Sequence, residues 1–170
     1  MNPTSTTSVV FVEHVLWEPD AAWTEALEHV AGRFARASPL DVDAVRAAGA
    51  LHDQVSYLAT WADAAGVDLD RELGRYLDEH LSMHVRPAPT VTRAVRALAV
   101  AGPVHAVSAL PPRAAESIAR HAGCWRSFAE LHANVRDAAA LAAVLDQVGM
   151  TDVIAVDPTP LPEGTSPILL

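Results

Sequence analysis

The chain has 170 residues, 51% of them hydrophobic, and a net charge of −9 from 21 acidic and 12 basic residues. That is enough apolar material for one cored domain with a small subdomain, and the acidic balance argues against nucleic-acid binding, which depends on phosphate neutralisation. All 12 basic residues are arginine, which excludes lysine-dependent chemistry, and a single cysteine, Cys124, excludes an intrachain disulfide and fits a reducing compartment.

The opening MNPTSTTS is polar and lacks the charged and apolar regions of a signal peptide. Residues 1–7 are expected to be a disordered tail and the protein to be cytoplasmic. Val9-Val10-Phe11-Val12 is a short apolar run that predicts a buried strand, with Glu13 and His14 at its end. Pro19-Asp20 then opens a helix with Trp23, Leu27, Val30 and Phe34 on one face. Two further helical patterns follow, with faces at Leu51, Val55, Leu58, Ala62 and at Leu69, Leu73, Leu77, Leu81; Gly66 between them predicts a C-cap. Residues 19–85 therefore read as a helical block.

The character changes at VRPAPT. A helix ending at Gly102, a buried strand PVHAVSAL, a helix starting at a proline pair, a short strand SFAELH, a helix over VRDAAALAAVLDQVG and a strand DVIAVD alternate with short connections. That alternation implies a parallel sheet flanked by helices. The tail LPEGTSPILL adds an edge strand or leaves the sheet. The most apolar stretch, Ala97 to Leu110, is interrupted by Gly, Pro and His and is too short to span a bilayer, so no membrane association is expected.

One strand, then a helical insertion, then an α/β core is an order that resembles the haloacid dehalogenase-like superfamily with a helical cap, over nearly the whole chain. The resemblance implies a core of residues 8–18 and 86–170 and a cap of residues 19–85. In that family the first strand ends in a hydrophobic-Asp-x-Asp-Gly motif, whose first Asp is the nucleophile and whose second is the acid/base. A Ser or Thr ends the next core strand, a Lys or Arg follows, and acidic residues after the fourth strand hold magnesium. Here Val12 stands at the nucleophile position and His14 at the acid/base position. His105-Ala106-Val107-Ser108 matches the second motif. Asn134 or Arg136 is the nearest substitute for the third-motif base, and Val156-Asp157 keeps one acid of the fourth.

These departures bear directly on chemistry. Valine cannot attack phosphorus, and loss of the first Asp also removes a ligand for magnesium, a hard cation that needs several oxygens. No cofactor is therefore expected, magnesium included. A shift of one residue would make Glu13 the nucleophile, but alternation along a strand turns it away from the site. The candidate catalytic residues are His14, Ser108 and Asp157; the candidate substrate-binding residues are Glu13, Trp17, Ser108, Asn134 and Arg136. Ser108 suits an anion or carbonyl at a helix start and equally serves as an N-cap. Asp157 reads as a polar ligand or an Asx-type turn residue. His14 reads as an acid/base or as a strand-end cap.

Other chemistry-bearing residues read as structural. His80 and His84 have a zinc-compatible spacing without an identifiable third ligand, and Cys124 has no fixed basic neighbour to activate it. Trp17, Trp23 and Trp61 read as packing, with Trp17 placed to line an apolar pocket between core and cap. The expected function is a catalytically degenerate protein of this fold. It would not be a phosphatase, and it would bind a small apolar molecule or a protein partner, a second copy of itself included, at the core–cap cleft. The alternative is a repurposed hydrolase, isomerase, lyase or cyclase using His14 as acid/base.

Overall fold

The structure is a computed structural model that describes residues 7–13, 15–17, 21–149, 152–154 and 167–168. In chain order it runs β1 (Ser8–Phe11), α1 (Ala21–Phe34), α2 (Val42–Ala47), α3 (Leu51–Ala65), α4 (Leu69–His84), α5 (Pro89–Ala101), β2 (Val104–Val107), α6 (Pro112–His121), β3 (Glu130–His132), α7 (Ala138–Val148), β4 (Asp152–Ile154) and β5 (Pro167–Ile168). A 3-10 turn, Trp125–Ser127, precedes β3.

All strand pairs are parallel, in the order β3-β2-β1-β4-β5. The first strand is thus the centre of the sheet, which explains its unbroken apolar run: Val9 and Val10 are fully buried on opposite faces. Val9 packs with Val107 of β2 and Leu141, Val144 and Leu145 of α7. Val10 belongs to the larger core that also holds Ala106 of β2, Ile118 of α6, and Leu27, Leu58, Leu73 and Leu77 of the helical block. The block and the sheet domain therefore share one continuous core. The tail segment Pro167–Ile168 forms the β5 edge strand expected as one of two outcomes.

Local signals place the helices where the periodicity puts them. Asp68 accepts a hydrogen bond from Arg71 N at 3.0 Å and caps α4, and Asp137 does the same for α7 from Ala140 N at 2.7 Å. Gly66 ends α3 with φ 67°, the left-handed cap conformation that glycine adopts without cost. Sequence periodicity did not resolve α2, a short helix capped by Asp41.

The most extensive helix–helix contact joins α4 to α6. Leu73, Leu77 and Leu81 of α4 and Ala114, Ala115, Ile118 and Ala119 of α6 are buried there or in the adjoining core. Gly74 permits the approach: a Cβ at that position would lie 2.5 Å from Arg113 Cβ. On the other side of α4, the buried Glu72 carboxylate accepts Arg33, Arg71 and Arg75 at 2.9, 3.1 and 3.3 Å.

No helix among the described residues is long and apolar enough to cross a membrane.

Candidate functional site at the strand ends

Side chains at the C-terminal ends of parallel strands face a common crevice where ligands bind in open α/β sheets. Here β1 delivers Val12 and Glu13, β2 delivers Ser108, and β3 delivers Asn134 and Arg136. Beyond Phe11 the chain leaves the strand and closes into a tight turn, in which Leu16 N and Trp17 N donate to Val12 O at 3.0 and 3.3 Å. Val12 N still donates to Val107 O at 2.9 Å. The turn is lined with apolar residues: Val12 is fully buried, and Val15, Leu16 and Trp17 are buried with it.

The strand-parity expectation for Glu13 is overturned. Because the pleat ends at Phe11, Glu13 is free of the two-residue alternation, and its carboxylate turns inward. Ser108 Oγ donates to Glu13 Oε1 at 2.5 Å, Ala109 N donates to the same oxygen at 3.2 Å, and Leu110 N donates to Ser108 Oγ at 3.1 Å. Ser108 is fully buried and Glu13 nearly so. Burial pushes the Glu13 carboxyl above its ordinary value, against the opposing pull of its hydrogen bonds from Ser108 and the neighbouring amides.

The loops after β2 and β3 are stitched to each other. Ser108 N donates to His132 O, Val135 N to Ser108 O and Asn134 N to Leu110 O, all at 2.9 Å. Asn134 takes the left-handed conformation at φ 59°, which asparagine tolerates best among side-chain-bearing residues. Its Oδ1 accepts from Arg136 Nη2 at 2.5 Å, while Arg136 Nε donates to Ala109 O at 3.3 Å. Burial lowers the guanidinium from its ordinary value, with Asp63 of α3 acting in the opposite sense.

Asn134 and Arg136 open onto a cleft of about 410 Å³ between the sheet domain and the helical block, bounded by Ala59 and Asp63 of α3, Leu69 of α4 and Pro111. Of the sequence-predicted contact residues, these two line the cleft. Glu13, Ser108 and Trp17 are buried and do not line it. Trp17 is a core residue whose Nε1 has no hydrogen-bond partner among the described residues. His14 and Asp157 lie outside the described residues.

A larger groove of about 760 Å³ runs along the α4–α6 seam. Its arginines are already engaged: Arg71 and Arg75 on Glu72, Arg113 on Asp70 and Arg120 on Glu116. The i,i+4 histidines of α4 are also occupied, His80 Nδ1 with Tyr76 O at 2.8 Å and His84 Nε2 with Glu25 Oε2 at 3.1 Å. Cys124 is buried, which raises its thiol and leaves it protonated and inert. The pairing that sequence reasoning missed is Glu13 with Ser108. The usable signal was a carboxylate and a hydroxyl each just beyond the apolar run of a strand, one acceptor and one donor.

No protein-family model and no curated protein matches the chain. Solved structures do. A protein assigned as a beta-phosphoglucomutase from Thermotoga maritima matches at 17% identity and TM-score 0.52, over 88% of this chain and 75% of its own. A haloacid dehalogenase-like family hydrolase from Streptococcus pneumoniae matches at 12% identity and TM-score 0.56 over the same shares. A protein assigned as a phosphatase from Clostridium difficile matches at 15% identity and TM-score 0.51, over 87% and 74%. At such identities the likeness is one of fold, and it joins the strand order, the parallel pairing and the helical insertion after the first strand: the chain has the haloacid dehalogenase-like fold.

Proposed function

We propose that this chain is a catalytically degenerate member of that fold, without phosphatase activity, that binds a small, largely apolar molecule in the cleft between the sheet domain and the helical block acting as a cap. One observation carries the reading: Val12, which the resemblance places at the nucleophile position, is fully buried, and Oε1 of the adjacent Glu13 accepts from Ser108 and Ala109. The hydroxyl and backbone amide that would suit an anionic ligand oxygen are held by the chain's own glutamate. Among the described residues, a buried valine and a carboxylate already accepting two hydrogen bonds do not fit a magnesium ion, which needs several available oxygens. The cleft sets apolar walls from Ala59, Val67, Leu69 and Pro111 among Asp63, Asp68, Asp70, Asn134 and Arg136, polar groups that would orient a small molecule there.

The test is hydrolysis of p-nitrophenyl phosphate with and without magnesium, beside Ser108→Ala. The expected result is no turnover above background in either protein. Magnesium-dependent turnover that falls in Ser108→Ala would overturn the reading and restore Glu13 or His14 as the reacting group. Installing the missing carboxylate should not rescue activity: Val12→Asp buries an unpaired charge and should destabilise the fold by about 3–5 kcal/mol, read by urea denaturation.

A further inference from the structure

We propose that His105, His132 and Glu130 form a binding site for a zinc-type divalent cation on the sheet, separate from the cleft at the strand ends. The site follows from register. In the parallel β2–β3 pair His105 lies opposite Glu130 and Val107 opposite His132, so all three side chains emerge on the same face. That face is the one α7 covers, since Val107 packs with Leu141 and Val144.

His105 Nδ1 and His132 Nε2 are 3.0 Å apart. Glu130 Oε2 lies 3.9 Å from the first and 3.6 Å from the second. A zinc ion about 2.0–2.1 Å from two imidazole nitrogens holds them about 2.9–3.4 Å apart for bond angles between square and tetrahedral. The two rings already have that spacing. The carboxylate needs only a small rotation, which a half-exposed side chain provides, whereas the His132 and His105 side chains are 8% and 15% exposed and held by the sheet.

The ligand set favours a borderline metal such as zinc over magnesium or calcium, because imidazole nitrogen outnumbers oxygen. Since β3 is an edge strand, the solvent side leaves a fourth position for water. Only three residues of β3 pair with β2, and an ion shared between the strands would pin that short edge. Without an ion, the same two nitrogens make a histidine–histidine hydrogen bond, the competing explanation of the arrangement.

The experiment uses the untagged full chain, stripped with chelator and titrated with Zn²⁺ against a chromophoric competitor, and with Co²⁺ by visible absorption. The expected result is one equivalent bound, a Tm that rises with zinc, and a cobalt spectrum typical of nitrogen ligands. Both His105→Ala and His132→Ala should weaken binding by more than about 100-fold, beyond the loss typical of removing an outer-sphere partner. Glu130→Gln, at a half-exposed position that leaves the fold undisturbed, should weaken it less but measurably, and His80→Ala should leave it unchanged. Circular dichroism identifies any variant that fails to fold. No uptake by the wild-type chain at 100-fold excess of ion, or unchanged affinity in folded Glu130→Gln and His132→Ala, would overturn the proposal and leave the hydrogen bond as the whole role of the pair.

Discussion

Glu13→Ala should lower the unfolding free energy by about 2–6 kcal/mol, because it strips the acceptor from two buried donors at about 1–3 kcal/mol each. Those donors are Ser108 Oγ and Ala109 N. Glu13→Gln should behave differently. Its amide oxygen still accepts from both donors, and the desolvated charge is gone. The sign of the pH effect follows from burial raising the Glu13 carboxyl above 4.5 in the folded state. The folded chain then binds this proton more tightly than the unfolded chain. The stabilisation is full below the unfolded value and is lost as pH rises through the folded one. Urea unfolding of wild type and Glu13→Gln between pH 4.5 and pH 8 should show the glutamine variant gaining relative to wild type as pH rises, other titrations cancelling between them. Parallel stability curves would show that the carboxylate is not desolvated as the structure has it.

The second large effect lies at the α4–α6 crossing. Gly74→Val should destabilise the protein by about 2–3 kcal/mol, at the upper range for overpacking, despite replacing a helical glycine. The added Cβ meets Arg113 Cβ at 2.5 Å, an atom fixed directly to the α6 backbone that cannot give way as a flexible side-chain tip can. The two helices must separate, loosening the leucine row of α4. Gly32→Ala in α1 is the internal control: nothing lies within 4 Å of its added methyl. That change should stabilise by about 0.5–1 kcal/mol through helix propensity and a less flexible unfolded chain. Equal effects at the two glycines in thermal melts would refute the close-contact account.

The fold was legible because its signals are local. Apolar steps of three and four mark α1, α3 and α4, glycine and proline bound them, and strand–helix alternation after Ala88 leaves a parallel sheet as the economical arrangement. The end of β1 was less legible. Alternation predicts that Glu13 turns away, and nothing in the letters reports that the strand stops at Phe11, where the backbone folds into a turn closed on Val12 O. Ser108 was identified, but its partner was not, since the pair is 95 positions apart and meets only through sheet order. His105, Glu130 and His132 show the same limit more sharply. His105 looks like a motif filler and Glu130-Leu131-His132 like an ordinary strand. Only the register of β2 against β3 puts their side chains together.

The central position of β1 has a consequence for how the chain is made. Its first neighbour, β2, begins roughly 100 residues later in the sequence. At about 5–20 residues per second, a ribosome needs roughly 5–20 s to supply it. During that interval the helices between them can form from local contacts, whereas a parallel strand pair must await its distant partner. The nascent chain therefore carries Val9-Val10-Phe11-Val12, a β-prone and uncharged run, unpaired through much of its synthesis. Of the described strands, β1 waits through the longest stretch of sequence for its neighbours, and the helical block emerging behind it is a surface available to shelter it meanwhile.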